Sequence, residues 1–170
     1  MPSYVALLRA VNVGGTGKLP MSALKAMCVA EGFEGVQTYI ASGNVVFSVD
    51  RAEAQVKAAL EERLNSFTGK PVGVILRTAK EMADILAANP FPGAPPQWTC
   101  VIFLNAPPPA DTLDGIRRQK DEQLCLGKRE IYVAYGEGMG RSKLKIPAGA
   151  NGTARNINTV AKLAELAASR

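Results

Sequence analysis

Residues 36–49 read V-Q-T-Y-I-A-S-G-N-V-V-F-S-V. Two runs rich in β-branched and aromatic residues, Val36 to Ile40 and Val45 to Val49, flank the turn-forming triplet Ser42-Gly43-Asn44. That pattern predicts a β-hairpin. A hairpin alone decides little; what decides the fold is that a helical pattern stands on each side of it.

On the N-terminal side, Tyr4 to Leu8 is an apolar run that predicts a first strand. A helix is predicted from Met21, with Met21, Leu24, Met27 and Cys28 on one face and Gly32 as its stop. On the C-terminal side, Asp50 with Glu53 three residues later has the form of a capping box. Val56, Leu60, Leu64 and Phe67 then recur at helical spacing until Gly69, and Val72 to Leu76 predicts a fourth strand. The order is βαββαβ within residues 1–78, the split-βαβ or ferredoxin-like order.

A second α+β half follows. Thr78 and Glu81 form another capping box, opening a helix with Met82, Ile85 and Leu86 inside and Asn89-Pro90-Phe91-Pro92 as its stop. Trp98 to Leu104 predicts a strand, Pro107-Pro108-Pro109 a stiff connector, and Asp111 a cap on a short helix through Ile116. Gln123 to Leu126 and Glu130 to Tyr135 predict a hairpin, and Asn156 to Ala168 a final helix. This half reads βαββα after its leading helix, with no evident last strand. The fold class is therefore α+β: duplicated ferredoxin-like (split βαβ) units with antiparallel or mixed sheets, divided into residues 1–78 and 79–170.

The topology directs attention to one loop. In a split βαβ, strands one and two run parallel with strand three between them. The connection after strand one and the hairpin turn then lie at one end of the sheet. That connection, Arg9 to Pro20, reads R-A-V-N-V-G-G-T-G-K-L-P. Its glycines suit close approach of backbone N–H groups to an anion, and Arg9 and Lys18 add charge. The candidate ligand-binding set is Arg9, Asn12, Gly14, Gly15, Lys18, Ser42 and Asn44. Near the last helix, Lys143, Arg155 and Asn156 join it: Arg155 offers a planar guanidinium fork, and Thr153 or Asn156 a cap.

Known phosphate motifs do not fit this loop. A P-loop ending at Lys18 needs glycine where Asn12 stands and a hydroxyl where Leu19 stands. The dinucleotide pattern fails at Pro20. Nor does the chain match an RNA-recognition motif, since only Phe47 is aromatic on the third strand.

The chain has 170 residues, 47% hydrophobic and 21% charged, which is ordinary globular composition. Of its net charge of +5, Gly136 to Arg170 supplies +4, with six Lys/Arg against two Asp/Glu. Such a segment attracts phosphate-bearing partners. There is no histidine, which removes His-based metal sites and Ser-His-Asp triads. Cys28, Cys100 and Cys125 are far apart and read as buried reduced thiols. Neither a signal pattern nor a membrane-length apolar run is present, so a cytoplasmic location is expected.

Several of these stretches together resemble one family. They are Y-V-A-L-L-R-A-V-N-V-G-G (Tyr4 to Gly15), T-Y-I-A-S-G-N-V-V-F (Thr38 to Phe47), N-P-F (Asn89 to Phe91), R-S-K-L (Arg141 to Leu144) and T-A-R-N-I-N-T (Thr153 to Thr159). The chain resembles the DUF1697 family, bacterial proteins of unknown function. It departs from the family pattern at Ala10, where glycine is usual, and at Ile157, where an aromatic is usual. The resemblance implies a two-part ferredoxin-like α+β fold and no activity.

The functional expectation is a protein that binds a phosphate- or carboxylate-bearing small ligand, nucleotide-like, at the glycine-rich loop. Two alternatives stay open: nucleic-acid backbone binding, and a group-transfer enzyme using Lys18 or Lys143. No metal site, cofactor or membrane partner is assigned, and the sequence leaves oligomeric state undecided.

Overall fold

The computed structural model describes residues 1–9, 19–40, 42–136, 144–149 and 151–170. The chain divides into two compact units: Met1–Ala83 with Leu163–Arg170, and Asp84–Lys162. Among the described residues there are two four-stranded antiparallel sheets and four α-helices, a mixed α+β architecture.

In the first unit the elements are β1 (Ser3–Leu8), α1 (Met21–Ala30), β2 (Glu34–Thr38), β3 (Asn44–Ser48), α2 (Glu53–Thr68) and β4 (Val74–Thr78). The sheet order is β2-β3-β1-β4, so β1 is central, between β3 and β4. Tyr4, Ala6, Leu8, Val45, Phe47, Val74 and Leu76 share a core with Leu24, Met27 and Cys28 of α1 and Val56, Leu60 and Leu64 of α2. The alternate residues Val5, Leu7, Val46 and Ile75 are also fully buried. Burial on both faces explains why these strands read as unbroken apolar runs.

Capping chemistry sets the helix ends. Gly32 (φ 83°) follows α1 and Gly69 (φ 78°) ends α2, both left-handed as helix-terminating glycines require. The expected box of Asp50 and Glu53 is displaced: Ala52 precedes the helix, and its N–H donates to Gln55 Oε1 at 3.1 Å. The stripe on α2 also ends earlier than its spacing suggests. Phe67 is 53% exposed.

Helix α3 (Ala79–Ala87) begins in the first unit and ends in the second, which then holds β5 (Thr99–Phe103), β6 (Gln123–Leu126), β7 (Glu130–Ala134), β8 (Thr153–Asn156) and the start of α4 (Ile157–Ala168). At the entry to α3 the Thr78–Glu81 box is reciprocal: Thr78 N donates to Glu81 Oε1 (2.9 Å) and Glu81 N to Thr78 Oγ1 (3.1 Å). The sheet order is β6-β7-β5-β8. A last strand therefore exists where none was expected, and it pairs with β5 over Thr153 to Asn156. Its sequence, T-A-R-N, buries only Thr153 and Arg155, so it carries no apolar alternation to read. Between β5 and β6 the expected short helix is a 3-10 turn, Thr112–Gly115.

Candidate functional site

One end of the first sheet gathers several of the sequence candidates. The Leu8 N–H donates to Gly43 O at 2.9 Å, and the next residue, Arg9, donates its N–H to Gly73 O at 2.9 Å. The end of β1 is thus tied to the β2–β3 turn on one side and to the lead-in to β4 on the other. This is the convergence the strand order requires. Leu19, where the described chain resumes, is 3% exposed.

Asn44 is the brace of the turn. It is fully buried, opposite Leu7 in register. Its Nδ2 donates to Tyr39 O (3.0 Å) and to Ser42 Oγ (2.9 Å), and its own carbonyl accepts from Tyr39 N (2.9 Å). Gly43 takes φ 91°, a conformation that only glycine adopts readily. Ser42 is exposed at the rim. Ile40 takes φ 50° although it is β-branched, and its side chain is 49% exposed. A β-branched residue with positive φ is a true outlier, of the kind that concentrates at functional sites.

Arg9 is half-buried. Its stem lies over Gly73: a Cβ placed there would sit 3.1 Å from Arg9 Cδ and 3.5 Å from Cγ. Gly73 also lines a cavity of about 430 Å³ with Glu61, Glu62, Asn65, Pro71 and Val72. The wall of that cavity is fixed by Glu61, whose Oε2 accepts from Lys57 Nζ (2.6 Å) and from the Val74 N–H (3.1 Å).

Two other candidates take structural positions in the second unit. Arg155 lies in β8, not at a helix N-terminus, and is 6% exposed. Its Nη1 donates to Thr153 Oγ1 (2.6 Å) and Ala154 O (2.9 Å). Burial pulls its pKa down to about 10, which leaves the guanidinium charged at neutral pH. Asn156 Nδ2 donates to Pro96 O and Gln97 O (3.1 and 2.9 Å), while its Oδ1 accepts from Asn158 N (2.8 Å) at the start of α4. The capping role expected of Asn156 is therefore present. Asn12, Gly14, Gly15, Lys18 and Lys143 lie outside the described residues.

Sequence reasoning missed Gly73, Ile40 and the cavity residues. Gly73 was within reach of the topology: β4 borders β1 and runs opposite to it, so the start of β4 must lie beside the end of β1. The strain at Ile40 left no mark in the residue pattern.

The thiols differ from one another. Cys28 and Cys100 are buried as expected, and burial pushes their pKa values up to about 12 and about 11. Cys125 is only partly buried, a correction to the expectation for all three. It sits on β6, the edge strand of its sheet among the described residues.

A family model described as "Protein of unknown function (DUF1697)" matches residues 1–132. The chain belongs to this family. No curated protein matches it. Among solved structures, this DUF1697 chain is similar to a conserved bacterial protein, SP0830, from Streptococcus pneumoniae, at 25% identity and a TM-score of 0.82 over 98% of each chain. The similarity extends through the C-terminal portion that the family model leaves unmatched. No helix among the described residues is long and apolar enough to cross a membrane.

Proposed function

We propose that this DUF1697 protein binds a small phosphate- or carboxylate-bearing ligand at the end of the first sheet. The observation that carries the reading is the pair of backbone bonds from Leu8 to Gly43 and from Arg9 to Gly73. They fix a cation at the point from which a glycine-rich connection departs. Arg9 and Lys18 would supply charge, Gly14 and Gly15 N–H donors, and Asn12 and Ser42 orienting hydrogen bonds. Asn44 would hold the turn. Arg155 and Asn156, expected in the same set, are engaged within the second unit.

We also read residues 1–78 and 79–170 as two fused copies of one ferredoxin-like arrangement in a cytoplasmic protein. The matching strand orders, β2-β3-β1-β4 and β6-β7-β5-β8, support the duplication. Two buried reduced thiols agree with a reducing compartment.

The test is a thermal-shift screen of wild type and Arg9→Ala against nucleotides, sugar phosphates, carboxylates and short RNA. A ligand that binds only the folded state raises its stability by RT ln(1 + [L]/Kd). The reading expects a small-anion shift in wild type that Arg9→Ala loses. A shift with RNA alone, falling steeply with added salt, would instead favour backbone binding by the basic segment.

A further inference from the structure

We infer that the cavity beside Gly73 holds the hydroxyl-bearing part of the ligand, which makes the ligand a sugar phosphate. This rests on the anion site proposed above and names the chemical class that site would take.

The cavity adjoins the anion site through one residue. Gly73 accepts the Arg9 N–H and lies under the Arg9 stem, and it also lines the cavity. At about 430 Å³ the space is in the range of small-molecule pockets. Its lining then selects what enters. Glu61 and Glu62 are acidic, so an anion is disfavoured inside and is directed toward Arg9. Hydroxyl groups are donors that a carboxylate accepts well, and an amide such as Asn65 can both donate and accept. Pro71 and Val72 add an apolar wall for the C–H face of a sugar ring. Glu61 is already tied to Lys57 and Val74, which leaves Glu62 and Asn65, both exposed on α2, as the groups to meet the hydroxyls. A molecule that carries a phosphate for Arg9 and a polyol for this lining satisfies both halves.

The experiment is isothermal titration of wild type, Glu62→Gln and Asn65→Ala with ribose 5-phosphate, glucose 6-phosphate and inorganic phosphate. Both substitutions are on the exposed face of a helix, and alanine favours that helix, so the variants fold. The expected result is that wild type binds at least one sugar phosphate about tenfold more tightly than inorganic phosphate, as one or two well-formed hydrogen bonds would give. Each variant should lose most of that advantage while binding inorganic phosphate as before. The inference is overturned, with the anion site intact, if wild type binds phosphate and both sugar phosphates equally or if neither variant changes the ratio. Absence of binding by all three probes overturns both readings.

Discussion

Ile40 offers a direct test of how the β2–β3 turn is built. Its φ of 50° puts a β-branched residue in the left-handed region, where an L-residue loses about 1–2 kcal/mol to contact between its Cβ and the carbonyl. Replacing it with alanine or with glycine removes the same half-exposed side chain, so lost burial cancels between the two variants. What remains is backbone. Glycine usually costs about 0.5–1 kcal/mol relative to alanine through extra freedom in the unfolded chain. At residue 40 glycine also escapes the left-handed penalty that alanine keeps. The balance favours Ile40→Gly over Ile40→Ala by about 0.5–1 kcal/mol, the reverse of the usual order. In a chain of this size that separates the melting temperatures by about 1–4 °C. Urea titration followed by circular dichroism measures it, with the two variants compared at equal slope. If Ile40→Ala is the more stable by the usual margin, residue 40 is not left-handed in solution and the account of the turn is wrong.

Two further outcomes follow from the titrating groups. With iodoacetamide at neutral pH, mass spectrometry of the folded protein should find Cys125 modified well before Cys28 and Cys100, whose thiols are buried and pushed up to about 12 and about 11; equal labelling of all three would contradict the packing. Hydrogen bonds from Arg63 and Arg51 hold the Glu31 carboxyl below its ordinary range. Because the folded value is the depressed one, the stabilisation is present above the unfolded value of about 4.3 and is lost as pH falls through the folded value. Glu31→Gln should therefore be less stable than wild type near pH 7, with the gap narrowing below about pH 4. A gap that widens in acid would refute the assignment.

Much of the first unit was legible because its signals are redundant. Leu24, Met27 and Cys28 agree with Gly32 on where α1 faces and stops, and Val56, Leu60 and Leu64 agree with Gly69 for α2. Where only one signal existed, the reading slipped. Phe67 keeps the helical spacing but is exposed, since spacing reports the direction of a side chain and not what lies beneath it. The strand Thr153–Asn156 was invisible because β5 supplies its hydrogen bonds, and its own residues contribute little apolar surface. Arg155 was misplaced for the same reason. A helix N-terminus was expected there, and only the pairing with Val101 places the side chain inside the sheet. At the candidate site, the meeting of Arg9 with the turn could be deduced from strand order. Its contact with Gly73, the cavity behind it and the backbone of Ile40 needed coordinates.

The central position of β1 also shapes how the molecule is made. β1 leaves the ribosome first among the strands, yet its pairing with β4 joins Tyr4 to Thr78 and Leu8 to Val74. Synthesis at about 5–20 residues per second leaves that edge of β1 open for about 4–15 s. The strand is apolar on both faces, so during this interval the nascent chain carries an unpaired, uncharged edge able to pair with another chain. Closing it joins residues far apart in sequence, a slow kind of step because loop closure precedes the contacts that reward it. Conditions that slow translation between β3 and β4 should therefore reduce the yield of folded protein, even though the finished sheet is unchanged.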